Sequence, residues 1–267
     1  PFGRRTVLPF ARRLKLALWP SLNWPPIEWF TGDVDIAHDF FHQLPVTRKA
    51  VRMVTVHDLS FIRRPDTHTE DTVRIHTRLL HHIARLADVC VAVSQSCKDD
   101  MVDLLGMSPD RIHVIPCGVD FTDFDVPLDN DLLASLKQRL RLGDSYFIHL
   151  GTIEPRKNLP RLLHAYANLH VRRRDVPKLL LVGKVGWKAE PTFQTLDTLR
   201  LGDAVVHAGY LTRAEAVTLL RGARACIYPS LYEGFGLPVL EAMAAGTPLV
   251  TSNVSALPEV VGDTALQ

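Results

Sequence analysis

The chain has 267 residues, enough for two domains of ordinary size, and its net charge of only +2 gives no support to a nucleic-acid partner. Of its residues 46% are apolar and 22% are charged, a balance that excludes a disordered chain. No apolar run is as long as the about 18 residues that a membrane span needs. The four cysteines are scattered along the chain, which favours reduced thiols over a metal site or a disulfide framework.

The first residues form a basic segment rich in tryptophan. No acidic residue occurs before Glu28, and the segment contains Arg4, Arg5, Arg12, Arg13, Lys15, Trp19, Trp24 and Trp29. Such a segment can lie on an anionic membrane surface, which would suit a cytoplasmic protein with a peripheral contact at the inner face of the membrane. An exposed helix followed by a proline-rich loop explains the same composition, so both interpretations stay open.

A first series of alternating strands and helices begins at Val51. The pattern predicts helices over Glu70–Leu86 and from Ser94, and strands over Val51–Val56, Val89–Val93 and Ile112–Ile115. A polar stretch rich in aspartate, Asp120–Asp131, follows and is typical of a linker.

A second series begins after this stretch. It predicts strands over Tyr146–Leu150, Lys178–Val182, Ala204–His207 and from Ala225 to Tyr228, with helices near Leu159–Arg172, Thr192–Leu201, Arg213–Arg221 and after Gly236. Alternation of this kind indicates an α/β protein with parallel sheets and helices on both faces. Two such series joined by a linker predict two Rossmann-like domains.

Two glutamates bracket the turn that follows the last of these strands. Glu233 and Glu241 lie eight residues apart around Gly234-Phe235-Gly236, and Pro238 is typical of a helix start. The N–H groups of a helix N-terminus can bind phosphate, and carboxylates can accept hydrogen bonds from sugar hydroxyls, so a sugar nucleotide would use both features. The alternative is that Glu241 only favours the helix start and Glu233 is a solvated loop residue.

The stretch from Glu233 to Val250 resembles the Glu-x7-Glu signature of retaining glycosyltransferases of family 4. This resemblance implies the GT-B fold, with two Rossmann-like domains facing a cleft. An acceptor-side domain would occupy residues 1–120, a linker and connecting helix 121–144, and a donor-binding domain 145–267. Both domains would be incomplete, the first without the family's opening strand and glycine-rich loop and the second without its last helices.

A second motif begins the predicted donor-binding domain. Gly151 allows a sharp turn after an apolar strand, and Arg156 and Lys157 follow in the loop before the next helix. Ligands of open α/β sheets bind at the carboxyl ends of the strands, where these cations could neutralise a departing diphosphate. Thr152 stands where many relatives carry an arginine, and a solvated basic pair is the alternative interpretation.

His57 ends the first apolar strand, and the family has a similar histidine that contacts the donor sugar. A structural or exposed histidine is the alternative at this position. The resemblance thus implies catalytic roles for Glu233, His57, Lys157 and Arg156, and donor binding by Glu241, Gly151, Gly234, Phe235, Gly236 and Leu237. It implies no cofactor and no metal, although Asp-x-Asp occurs three times, at Asp33, Asp123 and Asp129.

The implied activity is transfer of a hexosyl group, mannosyl by analogy with relatives, from a nucleotide-diphospho-sugar with retention of the anomeric configuration. The acceptor would be a glycan or a lipid-linked glycan of surface polysaccharide biosynthesis. Two alternatives stay open: a sugar-nucleotide epimerase on the same fold, which needs no acceptor, and a non-catalytic module that binds sugar nucleotides without consuming them.

Overall fold

A computed structural model describes residues 24–41, 44–173 and 175–267. It divides into two compact units, which are treated separately. The first contains the described residues up to Arg63 together with Glu70–Pro116, and the second contains Arg64–Thr69 and Cys117–Gln267. Most of the basic segment that predicts a membrane contact, namely Arg4, Arg5, Arg12, Arg13, Lys15 and Trp19, lies outside the described residues.

The first unit is built on a four-stranded parallel sheet whose strand order follows the chain. Its strands are β1 (Ile36–Asp39), β2 (Val51–Val56), β3 (Val89–Ala92) and β4 (Ile112–Val114). Its helices are α1 (Glu28–Thr31), α2 (Ser60–Arg63), α3 (Glu70–Leu86) and α4 (Gln95–Leu105).

Local sequence explains the helices of this unit. Leu80 and Ile83 of α3 are fully buried against the sheet core, as the helical spacing of its apolar residues predicts. Ser94 caps α4, since its hydroxyl accepts a hydrogen bond from Cys97 N at 3.0 Å. Gly106 ends α4 in the left-handed conformation that favours glycine.

The second unit contains a five-stranded parallel sheet in the order β7-β6-β5-β8-β9. Its strands are β5 (Tyr146–Leu150), β6 (Lys178–Val182), β7 (Val205–Gly209), β8 (Ala225–Tyr228) and β9 (Leu249–Thr251). Its helices are α5 (Asn130–Arg139), α6 (Leu159–Arg172), α7 (Glu190–Thr198), α8 (Arg213–Arg221), α9 (Leu237–Ala244) and α10 (Leu257–Val261).

Both faces of this sheet are covered. Along β6, Leu179 and Leu181 belong to one hydrophobic cluster, whereas Leu180 and Val182 belong to another. Side chains alternate between the two faces of a strand, so a strand that is buried on both faces has the continuous apolar sequence seen here. The predicted α/β architecture with parallel sheets is therefore confirmed.

The direction in which strands are added reverses beside β5. Strands β6 and β7 extend the sheet on one side of β5, and β8 and β9 extend it on the other. The loops that follow β5 and β8 therefore leave neighbouring strands at the same edge of the sheet but lead to opposite faces of the sheet. In open α/β sheets this switch point is where ligands bind.

The helices after β5, β8 and β9 start alike. Each begins with the same dipeptide: Leu159-Pro160, Leu237-Pro238 and Leu257-Pro258. Proline suits the first turn of a helix because the N–H that it lacks has no partner there. Within the described residues, no helix combines the length and hydrophobicity that crossing a bilayer requires.

Several boundaries differ from the sequence-based expectation. Helix α7 ends at Thr198 rather than near Leu201, because Arg200 adopts a left-handed conformation that interrupts the helix. The stretch 121–144, for which a linker and a connecting helix are predicted, does contain a helix, α5, and Leu136 of this helix is buried in a core cluster of the second unit.

Candidate functional site

The loops after β5 and β8 are hydrogen-bonded to each other. After Gly151 the chain forms a 3-10 turn over Pro155–Lys157, and Asn158 then takes a left-handed conformation before α6 begins. Leu231 N donates to Arg156 O at 2.8 Å, and Asn158 Nδ2 donates to Pro229 O at 3.2 Å. These bonds place the two cations of one loop beside the glutamate of the other.

Glu233 accepts hydrogen bonds from both cations. Its Oε1 lies 2.6 Å from Lys157 Nζ, and its Oε2 lies 2.6 Å from Arg156 Nη1. Glu233 and Lys157 are each only 6% exposed. The alternative in which Glu233 is a solvated loop residue is therefore wrong.

Tyr228 completes this arrangement from the last residue of β8. Lys157 Nζ donates to the Tyr228 hydroxyl at 2.7 Å, and that hydroxyl donates to Glu233 Oε1 at 3.0 Å. Burial raises the pKa of Tyr228, so the phenol keeps its proton and serves as a donor to the carboxylate. Sequence reasoning missed this residue as part of the site, although it lies only five residues before Glu233.

The protonation of the cluster follows from burial and from the ion pairs. Burial alone would raise the pKa of Glu233, but the nearby Lys157 and Arg156 lower it to about 2. Burial lowers the pKa of Lys157, and the attraction of Glu233 opposes that effect. Glu233 is thus ionised over the whole range in which most enzymes work.

A second buried carboxylate, Glu154, was also missed. It is 2% exposed, and its Oε1 lies 2.7 Å from Arg156 Nη2. Burial raises the pKa of Glu154, against the lowering effect of Arg156 and Lys157. Arg156 therefore bridges two buried carboxylates, a geometry that suits its planar guanidinium. The interpretation of Arg156 and Lys157 as a solvated basic pair is wrong.

His149, on β5, is fully buried beside this cluster. Its Nδ1 lies 2.9 Å from Ile227 O, and its ring stacks on Tyr228 at 5.5 Å. Burial lowers the pKa of His149 to about 4, so the ring is neutral and its Nδ1 donates to the carbonyl. Its Nε2 has no hydrogen-bond partner among the described residues and lies 3.5 Å from the position that a Cβ on Gly151 would occupy.

Glu241 has different partners from Glu233. Its carboxylate contacts Arg213 Nη1, and Arg213 Nε lies 2.9 Å from Asp123 Oδ2. Arg213 is the first residue of α8, and its guanidinium also lies over the ring of Phe124 at 5.5 Å. The structure therefore brings Glu241 to a separate, more exposed ion-pair chain, and sequence reasoning missed Arg213.

The glycine turn sets up the start of α9. Gly236 has φ of +103°, a conformation that favours glycine, and a Cβ there would lie 2.8 Å from Leu257 Cδ2. Glu233 N donates to Ser255 Oγ at 2.8 Å, which fixes the other side of the turn. Gly234, Phe235 and Gly236 therefore lead directly into Leu237, the first residue of α9.

His57 belongs to the first unit and directly follows β2. It is exposed, and its Nε2 lies 2.8 Å from Phe40 O. The strand-end placement agrees with the sequence pattern. The contact with a donor sugar that the resemblance implies stays a prediction.

A cavity of about 460 Å³ opens beside the cluster. Its walls are formed by Gly151, Thr152, Glu154, Arg156, Lys157, Lys184, Val185, Gly186 and Trp187.

The four cysteines are free thiols. In the part of the chain that the structure describes, no group of three or more histidine, cysteine or acidic side chains is placed to hold a metal ion. Independence from metals stays a prediction.

Two family descriptions match the chain. Residues 134–265 match "Glycosyl transferases group 1", and residues 2–123 match "Glycosyltransferase Family 4". Together the two matches take in nearly all of the sequence.

Similar proteins with curated names include mannosyltransferases. The chain is 35% identical over 217 residues to O-antigen chain mannosyltransferase B of Escherichia coli, covering 80% of this chain and 56% of that protein. It is 38% identical over 181 residues to the MMP alpha-(1->4)-mannosyltransferase of Mycolicibacterium hassiacum, covering 67% of this chain and 40% of that protein. The chain thus spans about half the length of these relatives.

Solved structures share the fold. Sucrose-phosphate synthase from Thermosynechococcus elongatus superimposes with a TM-score of 0.72 at 24% identity, covering 90% of this chain and 61% of that one. Anabaena HepE, solved in complex with UDP-glucose, gives a TM-score of 0.65 at 22% identity, with coverage of 80% and 57%. With the two parallel sheets, this likeness confirms the GT-B type of α/β fold.

Proposed function

The chain belongs to glycosyltransferase family 4, and on this premise we propose that it transfers a hexosyl group from a nucleotide-diphospho-sugar to an acceptor hydroxyl. The transfer retains the anomeric configuration. Mannose is the proposed sugar, because two of the similar proteins are named as mannosyltransferases. The proposed acceptor is a glycan or a lipid-linked glycan.

The observation that carries this proposal is the buried group of Glu233, Lys157 and Arg156 at the switch point of the second sheet. Burying charges costs desolvation free energy even when they are paired, and buried charged groups that line a cavity are typical of functional sites. A site with cations at one end and carboxylate acceptors nearby fits a ligand that carries both phosphate and hydroxyl groups.

In the proposed reaction the bond between the anomeric carbon and the diphosphate oxygen breaks as negative charge develops on the diphosphate. Lys157 and Arg156 stabilise this charge, because preorganised cations gain interaction as the charge grows. The acceptor hydroxyl attacks on the face that the diphosphate leaves, so the anomeric configuration is retained, and its proton passes to the departing diphosphate. The cations and the N–H groups at the start of α9 supply electrostatic stabilisation without a metal.

Glu241 is proposed to accept hydrogen bonds from the ribose hydroxyls of the donor. Its position in α9, one helix turn beyond the glycine turn, supports this role because the phosphates would lie at the start of the same helix. The backbone of Gly234, Phe235, Gly236 and Leu237 is proposed to contact the sugar, and Gly151 to allow close approach of the diphosphate.

The proposal is tested by incubating the protein with GDP-mannose, UDP-glucose and related sugar nucleotides, with and without oligomannose acceptors. We expect nucleoside diphosphate to be released only when an acceptor is present. The NMR spectrum of the product should show the same anomeric configuration as the donor. Activity should persist in EDTA and should be lost in Lys157→Ala. An inverted product would overturn retention.

The same experiment separates the two alternative functions. Conversion of the donor sugar with no acceptor present would identify an epimerase. If the protein bound a sugar nucleotide but did not consume it with any acceptor, it would be a non-catalytic module. Failure to bind any sugar nucleotide would overturn the proposal as a whole.

A further inference from the structure

The loop after β6 forms one wall of the cavity beside the Glu233 cluster. Lys184 O accepts a hydrogen bond from Ile153 N at 3.0 Å, and Gly186 N donates to Ile153 O at 2.9 Å. These bonds tie the loop to the one that carries Arg156 and Lys157. The side chains of Lys184 and Trp187 therefore line the same space as those two cations.

The formal charges in this space show which cation remains uncompensated. Arg156 and Lys157 are paired with the two carboxylates of Glu154 and Glu233, so the charges of these four groups sum to zero. Lys184 is exposed, and its ammonium has no hydrogen-bond or ion-pair partner among residues 24–41, 44–173 and 175–267. When the paired Glu233 is counted together with the charged residues of the cavity wall, the remaining positive charge comes from Lys184.

Trp187 is held in a fixed orientation although 39% of it is exposed. Its Nε1 donates to Thr67 O at 2.8 Å, and its ring stacks on His68 at 5.8 Å. The next residue, Lys188, donates from Nζ to Asp66 O at 3.1 Å and to His68 O at 2.5 Å. An indole fixed in this way loses little side-chain entropy when a ligand packs against its remaining surface.

We propose that Lys184 and Trp187 form a donor-recognition pair in which Lys184 binds a phosphate of the sugar nucleotide and the indole of Trp187 packs against the apolar face of its hexose. This pair deepens the proposed function and rests on it. An ammonium binds phosphate as a point charge, and an aromatic ring offers the C–H face of a pyranose a flat apolar surface.

The test measures binding of inorganic pyrophosphate, GDP, UDP, GDP-mannose and UDP-glucose by calorimetry at low salt. Lys184→Gln should weaken binding of every ligand that the wild-type protein binds by about tenfold, since each contains the phosphate group. Trp187→Ala should weaken binding of the preferred sugar nucleotide by about threefold or more but leave pyrophosphate and the nucleoside diphosphates unchanged. Trp187→Phe keeps an aromatic surface and should retain most of the affinity.

Lys178→Gln is the matched control, because Lys178 begins β6 at the opposite end of the strand from Lys184. It should bind every ligand as the wild-type protein does. If the wild-type protein binds one or more of these ligands and Lys184→Gln binds them equally well, the phosphate role is overturned. Equal loss for all ligands in Trp187→Ala would overturn the hexose role. If the wild-type protein bound none of them, the proposed function itself would fail.

Discussion

Lys157 Nζ lies 2.6 Å from Glu233 Oε1, and both side chains are almost completely buried. The residues are far apart in sequence and meet because β5 and β8 are neighbours in the sheet. A buried ion pair costs desolvation free energy that its Coulombic attraction only partly returns. The pair therefore makes the fold sensitive to the loss of either partner.

The first prediction concerns removal of the negative charge from this pair. Glu233→Gln leaves Lys157 and Arg156 with Glu154 as the only carboxylate that contacts either of them in the described cluster. We expect the free energy of unfolding to fall by about 3–5 kcal/mol, because an uncompensated buried cation remains. Urea denaturation at neutral pH measures the change.

The matched control for this prediction is Asp71→Asn. Asp71 also pairs with an arginine, Arg74 at 2.6 Å, but both side chains are more than three-quarters exposed. An exposed pair contributes about 0–1 kcal/mol, so this variant should unfold nearly as the wild-type protein does. Equal effects of the two substitutions would mean that burial does not set the energetic importance of the Lys157–Glu233 pair.

The strands that could be predicted from sequence are rich in apolar residues. Strands β5 and β6 begin and end at the predicted residues, Tyr146–Leu150 and Lys178–Val182, because burial on both faces requires mostly apolar side chains. Strand β1 was not predicted, since it has only four residues and its Ile36 and His38 are exposed. Strand β1 takes its place in the sheet by pairing with β2, and this pairing leaves no pattern in the sequence of β1 itself.

The site was predictable as a set of motifs but not as a set of contacts. Glu233, Arg156 and Lys157 stand out because glycine turns and strand ends mark them in the sequence. Their pairing depends on strand order, which decides that the loops after β5 and β8 meet. The contact of Arg213 with Glu241 depends on where the first residue of α8 lies relative to α9, and a single arginine at a helix start carries no signal of that position.

The second prediction concerns the close approach of two loops at the site. Gly183 has φ of +146°, and a Cβ there would lie 2.0 Å from Gly151 O. Gly183→Ala should therefore lower the free energy of unfolding by about 3 kcal/mol or more and displace the loop that leads to Lys157. Thermal and urea denaturation measure the loss.

Gly118→Ala is the control for this glycine. Nothing lies within 4 Å of the Cβ that it would add, and its φ is outside the left-handed region. The change should be neutral or slightly stabilising, because alanine reduces the entropy of the unfolded chain. If Gly183→Ala had the same free energy of unfolding as this control, the two loops would be able to separate without a loss of stability.

The third prediction is a pH dependence of stability that arises from His149. Burial lowers the pKa of His149 to about 4 in the folded protein, from an ordinary value of 6.5. Between these values the unfolded chain binds a proton that the folded protein excludes, so stability is greatest above about pH 6.5 and falls as the pH decreases towards 4. The contribution of this residue over that interval is roughly 3 kcal/mol.

Urea denaturation of the wild-type protein and of His149→Phe at several pH values between 4 and 8 isolates this effect. Phenylalanine keeps the stack on Tyr228 but cannot titrate, so the variant should lose less stability than the wild-type protein as the pH falls. The lost hydrogen bond to Ile227 O lowers its stability by an amount that does not change with pH. Parallel curves for the two proteins would show that His149 does not titrate on unfolding.

The last prediction concerns the ion-pair chain at the start of α8. If Glu241 accepts the ribose hydroxyls, Glu241→Ala should weaken binding of the preferred nucleoside diphosphate by about tenfold or more and leave inorganic pyrophosphate unaffected. Arg213→Ala should have a smaller effect on the same ligand, since Arg213 only orients the carboxylate that it contacts. Calorimetry measures the affinity of both variants for these ligands. Glu190→Ala, at the exposed first residue of α7, is the control. A stronger affinity in Arg213→Ala would instead mean that the arginine competes with the ligand for Glu241.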